Sequence, residues 1–304
     1  MKHLNNPTVS QFFEIARPKV NLTLRILGKR PDGYHALASV VAFANGPSDR
    51  LKLDCARRRG VTVTGPFAGS IAGVNLLETV LDLVADAAGA APASLPPLRL
   101  GHVHLEKCLP VAAGIGGGSA DAGALLRAIR TANPELATVI DWNAIALRLG
   151  ADVPVCLLNG AAFMTGIGEQ LTPLADLSQL PVVLANPLVP VPADKTARVF
   201  RALAAEPLPD NNAEPLPPHG ISLERLITLI ETGNDLQRAA CDVVPAIADV
   251  LQELRSTPGC RVAVMSGAGP TCFGVFDDQS ATRSAAQELS ARHPKWWIAA
   301  ADLG

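Results

Sequence analysis

The stretch Pro110-Val-Ala-Ala-Gly-Ile-Gly-Gly-Gly-Ser-Ala-Asp121 decides the fold, because it joins a glycine-rich turn to a helical pattern. Ala122, Leu125, Leu126 and Ile129 follow it at the spacing that puts apolar side chains on one helix face. A helix N-terminus has unpaired backbone N–H groups and a partial positive charge. Glycine lets a bulky anion approach that backbone closely. The stretch therefore predicts a phosphate site and a nucleotide-using protein.

Two better-known glycine motifs do not fit this loop. The Walker-type loop ends in Gly-Lys-Ser/Thr, and no lysine follows Gly118. The dinucleotide fingerprint matches at Gly114 and Gly116, but Ser119 stands where its third glycine is required. A tight helix entry without a ligand remains the alternative, since glycine and serine are common at helix starts.

The bulk composition is that of a soluble globular protein. The chain has 304 residues, of which 48% are hydrophobic and 18% charged, enough for one large domain or two medium ones. A net charge of −2 provides no basic field for nucleic acid. The 6 cysteines form no Cys-x-x-Cys pair, which argues against structural zinc and a disulfide scaffold. With no leader or membrane span evident, we expect a cytoplasmic protein without nucleic-acid or membrane partners.

Hydrophobic patterns predict alternating strands and helices in the first half. Strict alternation over residues 16–26 indicates a half-buried strand, with Lys19 and Asn21 on the face away from the core. Asn75 and Asp141 are predicted to begin helices, and Gly150 to end the second. Further strands are expected near 37–44, 50–54, 60–64 and 98–107, and a short apolar strand after Pro154.

The second half follows the same alternation. Five prolines over 207–218 predict an exposed loop. Strands are expected at 182–185 and near 261–265, 271–276 and 296–300, with helices over 222–232, 235–255 and 278–292. The fold class is therefore α/β (α+β), with two domains, 1–172 and 173–304. The cleft between domains is the expected site.

Three separated segments together resemble the GHMP kinase superfamily, named for galactose, homoserine, mevalonate and phosphomevalonate kinases. Within this superfamily, two motifs are similar to those of the branch that acts on a diphosphocytidyl sugar alcohol. The three segments are Ala16–Leu22 with Gly28–His35, Leu109–Asp121 and Met265–Phe273; the two motifs are Arg30-Pro-Asp-Gly-Tyr-His35 and Leu149-Gly-Ala-Asp-Val-Pro154.

The resemblance implies a fold and a reaction. It implies an N-terminal domain like domain 2 of ribosomal protein S5 and a ferredoxin-like C-terminal domain. It further implies Mg²⁺-dependent transfer of the ATP γ-phosphoryl group to the 2-hydroxyl of 4-diphosphocytidyl-2-C-methyl-D-erythritol, in non-mevalonate isoprenoid precursor biosynthesis. Another superfamily kinase, of homoserine or mevalonate type, and a non-catalytic ligand-binding protein are the alternatives. We expect a monomer or a weak homodimer.

The resemblance assigns the catalytic roles to Lys19 and Asp152. Lys19 is expected to hold the Asp152 carboxylate and the incoming phosphoryl charge, and Asp152 to accept or steer the hydroxyl proton. Whether Asp152 is a true base or an orienting group stays open. For Asp121, stabilisation of the first turn of the post-loop helix is favoured over catalysis.

The ATP and phosphate contacts are expected along the glycine loop and at two outlying positions. Ser119 is expected to cap the helix, to touch phosphate or Mg²⁺, or to do both, so the metal ligands stay open. Many relatives have a second serine where this chain has Ala120. Asn75 fits a helix N-cap equally well. The full expected set is Pro110, Ala112, Ala113, Gly114, Ile115, Gly116, Gly117, Gly118, Ser119, Ala120, Asn75 and Lys107.

The sugar substrate is expected to contact a second set of residues. Tyr34 and Phe200 have rings that can stack on cytosine, and His35 can read the edge of the base. His102 and His104 share one strand face without a third ligand and are interpreted as solvated positions rather than zinc ligands. The full substrate set is Asn21, Tyr34, His35, Phe200, Ser266, Gly267, Ala268 and Gly269.

Overall fold

A computed structural model describes residues 9–71, 73, 75–90, 92, 94–209 and 222–304. This part of the chain divides into two compact units, each built from separate stretches of sequence. The first unit contains the chain up to Ala16, Asp49–Cys108 and Gly118–Leu157; the second contains Arg17–Ser48, Leu109–Gly117 and Leu158–Gly304. The predicted division into 1–172 and 173–304 stays a prediction.

Strands and helices alternate along the chain. The strands are β1 (Gln11–Ala16), β2 (Lys19–Asn21), β3 (Arg25–Lys29), β4 (His35–Asn45), β5 (Asp49–Asp54), β6 (Gly60–Thr64), β7 (His102–Glu106), β8 (Ala162–Thr165), β9 (Gln170–Pro173), β10 (Leu180–Asn186), β11 (Cys260–Met265), β12 (Cys272–Phe276) and β13 (Trp297–Leu303). The helices are α1 (Leu76–Gly89), α2 (Gly117–Ala132), α3 (Trp142–Leu149), α4 (Val153–Leu158), α5 (Lys195–Leu203), α6 (Leu223–Glu231), α7 (Gln237–Val243), α8 (Ala246–Ser256) and α9 (Gln279–Arg292).

The first unit is built on a sheet of order β1-β5-β7-β6. β5 runs antiparallel to β1 and β7, while β6 runs parallel to β7. Helix α2 is buried on most of its surface, and a Cβ at Gly123 would lie 2.6 Å from the Cys156 carbonyl carbon. Glycine is therefore required where α2 passes close to the backbone of α4.

The second unit is built on an antiparallel sheet of order β11-β12-β10-β13-β4-β8-β9, with β2 and β3 also paired to β4. Both faces of this sheet are covered. One buried cluster joins it to α6 through Leu226, Ile227 and Ile230, and another joins it to α5, α7, α8 and α9. This unit thus has mixed α/β content with helices on both faces. Among the described residues, no helix is long and apolar enough to span a membrane.

The predicted strand over 16–26 is wrong in its extent. Strand β1 ends at Ala16, β2 covers Lys19–Asn21, and β3 begins at Arg25. The backbone N–H groups of Leu22 and Thr23 both donate to the carbonyl of Val40, at 2.8 and 3.5 Å. Two residues that face one residue of the neighbouring strand interrupt the regular pairing. Alternation alone does not reveal such an interruption.

The predicted short strand after Pro154 is a helix, α4. The N–H of Cys156 donates to the carbonyl of Asp152 at 3.3 Å, which is helical pairing. Proline is tolerated in the first turn because its missing N–H would have no partner there. Periodicity does not distinguish strand from helix in so short an apolar run.

The remaining boundaries follow local chemistry. Asn75 and Asp141 cap α1 and α3, accepting hydrogen bonds from the N–H groups of Leu77 and Ala144. The long helix predicted over 235–255 is broken into α7 and α8 at Pro245. Helix α5 was not predicted, and most of the proline-rich loop predicted over 207–218 lies outside the described residues.

Candidate active site

The glycine loop packs against a second glycine turn within the second unit. Gly114 has φ +79°, and a Cβ there would lie 2.6 Å from the carbonyl oxygen of Gly269 and 2.8 Å from that of Ser266. Hydrogen bonds reinforce the contact, with Ser266 Oγ donating to the Gly114 carbonyl at 3.0 Å and Thr271 N to the Ala113 carbonyl at 3.0 Å. Gly114 is therefore required by the protein's own packing.

Gly118 differs from Gly114, because no packing contact of the described residues requires a glycine at that position. It lies in the first turn of α2, is exposed, and a Cβ there would meet no atom of those residues within 4 Å. The open space lies at a helix N-terminus, where backbone N–H groups and the helix dipole favour a bound anion. The residues of this turn therefore fit a phosphate group.

Lys19 and Asn21 are buried, and their predicted exposure on the solvent face of a strand is wrong. Lys19 is 4% exposed and Asn21 3%. The glycine loop covers this face of β2: the N–H of Lys19 donates to the Ile115 carbonyl at 3.0 Å, and a Cβ at Gly116 would lie 2.7 Å from Lys19 Cγ. Alternation of polar and apolar residues does not reveal a strand that is covered on both faces.

Asn21 connects Lys19 to a chain of buried hydrogen bonds. Lys19 Nζ donates to Asn21 Oδ1 at 2.8 Å, and Asn21 Nδ2 donates to Ser39 Oγ at 2.8 Å. The N–H of Asn21 donates to Ser266 Oγ at 3.1 Å. These bonds fix the side chain of Asn21, and through it the ammonium group of Lys19, beside the glycine loop.

The turn Ser266-Gly-Ala-Gly-Pro270 is held by residues that sequence reasoning missed. Asn234 Nδ2 donates to the carbonyls of Met265 and Gly267, each at 2.8 Å. Asn186 Nδ2 donates to Thr271 Oγ1 at 2.8 Å. All three side chains that make these bonds are buried. Buried amides and hydroxyls require such partners, but the sequence alone does not show which loop they support.

Lys195 was also missed. Its Nζ donates to the Ala112 carbonyl at 3.2 Å and to the Gly269 carbonyl. Lys195 is buried, as is Val199 four residues later on the same face of α5. That spacing was the available signal: a lysine one helical turn before a core valine lies on the buried face.

The structure brings together two of the residues predicted to recognise cytosine. The rings of His35 and Phe200 stack with centroids 4.8 Å apart and an interplanar angle of 30°. Burial, with the nearby charge of Lys29, lowers the pKa of His35, which favours the neutral ring. Tyr34 is 61% exposed, so its ring is not folded onto the core.

In the first unit, Lys107 lies in a buried ion cluster. Its Nζ lies 2.6 Å from Asp49 Oδ2 and 2.6 Å from Asp121 Oδ2, and all three side chains are buried. Asp49 Oδ1 also accepts a hydrogen bond from the N–H of Cys108 at 2.5 Å. Burial would lower the pKa of Lys107, but the two carboxylates outweigh it and raise that pKa. The ammonium therefore already has its counter-charges inside the protein.

Asp121 lies in the second turn of α2, so its predicted place in the first turn is wrong. The helix begins at Gly117, and the effect of the dipole fades beyond the first turn. Burial, with the neighbouring charge of Asp49, holds the pKa of Asp121 well above its usual range despite Lys107. Its Oδ1 is shielded from solvent without a hydrogen-bond partner among the described residues.

Asp152 is half-buried at the residue before α4. It belongs to the first unit, and Lys19 to the second. Their joint action on one hydroxyl stays a prediction. The predicted ATP contacts of Asn75 and Lys107 are likewise untested, although the structure confirms the N-cap at Asn75. In the described part of the chain, no group of three or more histidine, cysteine or acidic side chains could hold a metal ion. His102 and His104 instead hydrogen-bond Thr62 and Thr64.

Family models match both halves of the chain. The model for the GHMP kinases N terminal domain matches residues 75–160, and the GHMP kinases C terminal model matches residues 219–295. The chain belongs to the GHMP kinase family. This membership confirms the resemblance carried by the three sequence segments.

Relatives of this family cover almost the whole chain. A 4-diphosphocytidyl-2-C-methyl-D-erythritol kinase from Methylobacterium radiotolerans is 48% identical over 93% of this chain and 96% of its own. A kinase of the same name from Bradyrhizobium sp. strain BTAi1 is 44% identical over 95% of this chain and 96% of its own. The predicted small-molecule kinase is thereby confirmed.

Solved structures agree. A crystal structure of 4-(cytidine 5'-diphospho)-2C-methyl-D-erythritol kinase superposes with a TM-score of 0.74 at 33% identity, over 96% of this chain and 99% of that one. A homoserine kinase from Cytophaga hutchinsonii reaches 0.66 at 15% identity, over 99% and 97%, which shows the shared fold alone. The mixed α/β kinase fold with GHMP N- and C-terminal domains is confirmed; the S5-like and ferredoxin-like names stay predictions.

Proposed function

We propose that the chain phosphorylates the 2-hydroxyl of 4-diphosphocytidyl-2-C-methyl-D-erythritol with ATP, in non-mevalonate isoprenoid precursor biosynthesis. The observation that carries this proposal is the identity of 44–48% to kinases of that name over nearly their full length. The stacked rings of His35 and Phe200 support a base-bearing substrate. Homoserine and mevalonate have no base, so these rings would serve no purpose for them.

The glycine loop and the start of α2 are proposed to bind the ATP phosphates. Backbone N–H groups at the helix N-terminus would donate to phosphate oxygens, and the open space at Gly118 admits them. Mg²⁺ would neutralise charge between the β- and γ-phosphates. Because Mg²⁺ is held mainly by phosphate oxygens, waters and one or two protein ligands, it needs no protein cage. Ser119 is the protein group we propose near it.

Cytosine is proposed to stack between Tyr34 and Phe200, with His35 reading its edge. The lowered pKa of His35 keeps its ring neutral, so it can both donate and accept a hydrogen bond. Asn21 and the Ser266–Gly269 turn are proposed to contact the methylerythritol phosphate portion. The buried hydrogen bonds of Asn21 hold it in one orientation, which is what a positioning group requires.

Lys19 and Asp152 are proposed to act on the reacting groups. Asp152 would accept the proton of the 2-hydroxyl as the hydroxyl oxygen attacks the γ-phosphorus. The ammonium of Lys19, fixed by Asn21, would stabilise the charge on the transferred phosphoryl group. The bond from the γ-phosphorus to the bridging oxygen breaks, and ADP leaves. The two groups supply positioning and charge, which is most of what phosphoryl transfer needs.

An ATP-transfer assay tests the proposal. Wild-type enzyme, Lys19→Ala, Asp152→Asn and the surface control Lys295→Ala are compared on the cytidyl substrate, homoserine and mevalonate. Wild type is expected to phosphorylate only the cytidyl substrate, and both active-site variants to lose roughly 10²-fold or more in kcat. Transfer to homoserine or mevalonate instead would assign the chain to another branch. Near-wild-type turnover by Asp152→Asn would remove this carboxylate from the reaction.

We further propose a cytoplasmic enzyme that is a monomer or a weak homodimer, with an S5-like N-terminal and a ferredoxin-like C-terminal domain. The antiparallel sheet of the second unit, which packs against helices, supports an α+β type for the C-terminal domain. Sedimentation at micromolar concentration tests the oligomeric state.

A further inference from the structure

Lys195 joins one helix to two glycine-rich segments. It is the first residue of α5 and is 5% exposed, although it has an ammonium group. That group donates to the carbonyls of Ala112 in the glycine loop and Gly269 in the second glycine turn. The same helix carries Phe200, whose ring stacks on His35. One side chain therefore contacts both segments proposed to face the phosphates and begins the helix proposed to hold the base.

No carboxylate neutralises Lys195 among the described residues. Burial alone lowers its pKa from 10.5 to about 8. The preceding Asp194 pairs with Arg198 at 2.7 Å, and both are half exposed. The charged residues of the packed helix α7, Arg238 and Asp242, are exposed. The segments 109–117 and 266–271 contain no charged residue. The carbonyl dipoles are therefore the only partners that the described chain gives this ammonium.

A buried charge without a counter-ion costs free energy, and proteins keep one where a ligand supplies the opposite charge. The glycine loop beside Lys195 leads into the helix N-terminus that fits a phosphate. A bound polyphosphate would bring several negative charges to this loop. The proposed ligand thus has the sign of charge that Lys195 lacks, and Lys195 contacts the loop that leads to the proposed phosphate position.

We infer that Lys195 is a positioning residue for phosphoryl transfer, which aligns the two glycine segments with the helix of Phe200 and whose charge the bound phosphates balance. The inference rests on the proposed function. A peptide unit is planar and trans, so holding the Ala112 carbonyl fixes the opposite direction of the Ala113 N–H. Lys195 thereby sets the orientation of the loop backbone without touching the reacting atoms.

The substitution Lys195→Met tests this role, because methionine keeps most of the apolar stem and removes the ammonium. The hydrogen bonds that tie α5 to the two glycine segments are then lost, while Ser266 and Thr271 still join the segments to each other. A displacement of about 1 Å in a positioned group costs roughly 10²-fold in rate, so kcat/KM is expected to fall by about that factor. Because α5 carries Phe200, the KM for the cytidyl substrate is expected to rise along with that for ATP.

Proton uptake separates this role from a purely structural one. Phosphates beside an ammonium raise its pKa. Above pH about 8, where free Lys195 loses its proton, binding of a non-hydrolysable ATP analogue is therefore expected to take up a proton. Calorimetry in two buffers of different ionisation enthalpy measures this uptake. Uptake is expected in wild type and absent in Lys195→Met. It is also expected to be absent in Lys195→Arg, because the guanidinium stays charged at that pH. The Lys195→Arg variant is expected to retain part of the analogue affinity.

The exposed lysine variant Lys295→Met is the matched control and is expected to behave as wild type. Wild-type kcat/KM together with unchanged proton uptake in Lys195→Met would overturn the inference. If that variant does not fold, wild-type binding without proton uptake above pH 8 overturns it instead. Analogue binding needs no acceptor substrate. A wild type that binds the analogue but does not phosphorylate the cytidyl substrate therefore refutes the proposed function and leaves the inference on Lys195 measurable.

Discussion

Lys107 in the first unit and Lys195 in the second are both buried lysines, but their surroundings differ. Lys107 contacts two carboxylates at 2.6 Å each, and its pKa is raised. Among the described residues, the ammonium of Lys195 hydrogen-bonds only to carbonyl oxygens, and burial lowers its pKa to about 8. Two residues of one chemical type thus have pKa values displaced in opposite directions.

The difference separates a lysine whose charge is paired within the fold from one whose charge is not. The ion cluster of Lys107 has its counter-charges inside the first unit. Lys195 lacks a counter-charge in the described part of the chain, which is why we propose that bound phosphates supply it. The same distinction applies to two glycines: packing requires Gly114, whereas Gly118 borders open space.

The largest expected effect on stability is that of Lys107→Met. It leaves Asp49 and Asp121 buried side by side without a cation, which costs about 3–5 kcal/mol in free energy of unfolding. Urea denaturation at neutral pH measures the loss. The exposed Lys295→Met is expected to change stability by less than about 0.5 kcal/mol.

A loss below about 1 kcal/mol for Lys107→Met would contradict the assignment of this cluster to the fold, since removing one partner of a buried pair normally costs several times more. The triple variant Lys107→Met, Asp49→Leu, Asp121→Leu sharpens the test. Replacing all the charges with apolar groups is expected to recover part of the stability that the single substitution loses, since the N–H of Cys108 then lacks its acceptor.

Gly114→Ala is expected to cost the next largest amount. Gly114 has φ +79°, and the new Cβ would lie 2.6 Å from the Gly269 carbonyl oxygen. Backbone strain of this kind costs about 1–3 kcal/mol, so the free energy of unfolding should fall without any ligand.

Gly118→Ala is the matched control, and its effect on stability should be opposite to that of Gly114→Ala. Alanine in a helix is favoured over glycine by up to about 1 kcal/mol, so the unliganded protein should be as stable or more stable. Its affinity for an ATP analogue should fall, because the methyl group enters the space that fits a phosphate. Unchanged analogue affinity in Gly118→Ala would remove Gly118 from the proposed phosphate site.

Local patterns in the sequence predicted much of this arrangement. The apolar spacing of Ala122, Leu125, Leu126 and Ile129 correctly indicated the buried helix after the glycine loop. Asn75 was correctly weighed as an N-cap. The ordered motifs identified the family because they combine glycines, a lysine and an acidic residue that one chemistry requires. The helix spacing and the N-cap are local features of the sequence, and the motifs belong to a set that recurs in one family.

Non-local pairing accounts for what the sequence did not reveal. Lys19 alternates as a solvent-facing residue, yet the glycine loop, far along the chain, covers it. Lys107 was predicted to contact the nucleotide, and the sequence around it does not indicate that Asp49 is its partner. Asn234 supports a turn that follows two helices and a strand later in the chain. Such contacts depend on how strands are ordered in the sheet, which periodicity does not specify.

Asp121→Asn is expected to have a smaller effect, one that depends on pH. The folded state holds the pKa of Asp121 well above its usual value of 3.8, so it binds more protons than the unfolded state above that pH. Wild-type stability therefore falls as pH rises from about 4 through the folded pKa. Asparagine does not ionise, so this fall should shrink. At acidic pH the variant should lose about 1 kcal/mol, the usual contribution of one hydrogen bond.

Urea denaturation of both proteins across the acidic and neutral range measures the two slopes. Parallel slopes would show that Asp121 does not titrate within the cluster as its burial implies. A slope that flattens in Asp121→Asn but not in the surface variant Asp302→Asn, where the carboxylate is partly exposed, supports the cluster as the source.

Lys195→Met is expected to have the smallest effect on stability, despite its predicted effect on rate. At neutral pH, replacing an uncompensated buried charge with an apolar side chain of similar length costs at most about 1 kcal/mol of stability. The folded pKa of about 8 lies below the usual 10.5, so between these values the unfolded state binds more protons. Wild-type stability should therefore rise with pH over that window, and the variant should show no such rise. A stability loss as large as that of Lys107→Met would place Lys195 among the charges that hold the fold together, and the contrast between the two lysines would disappear.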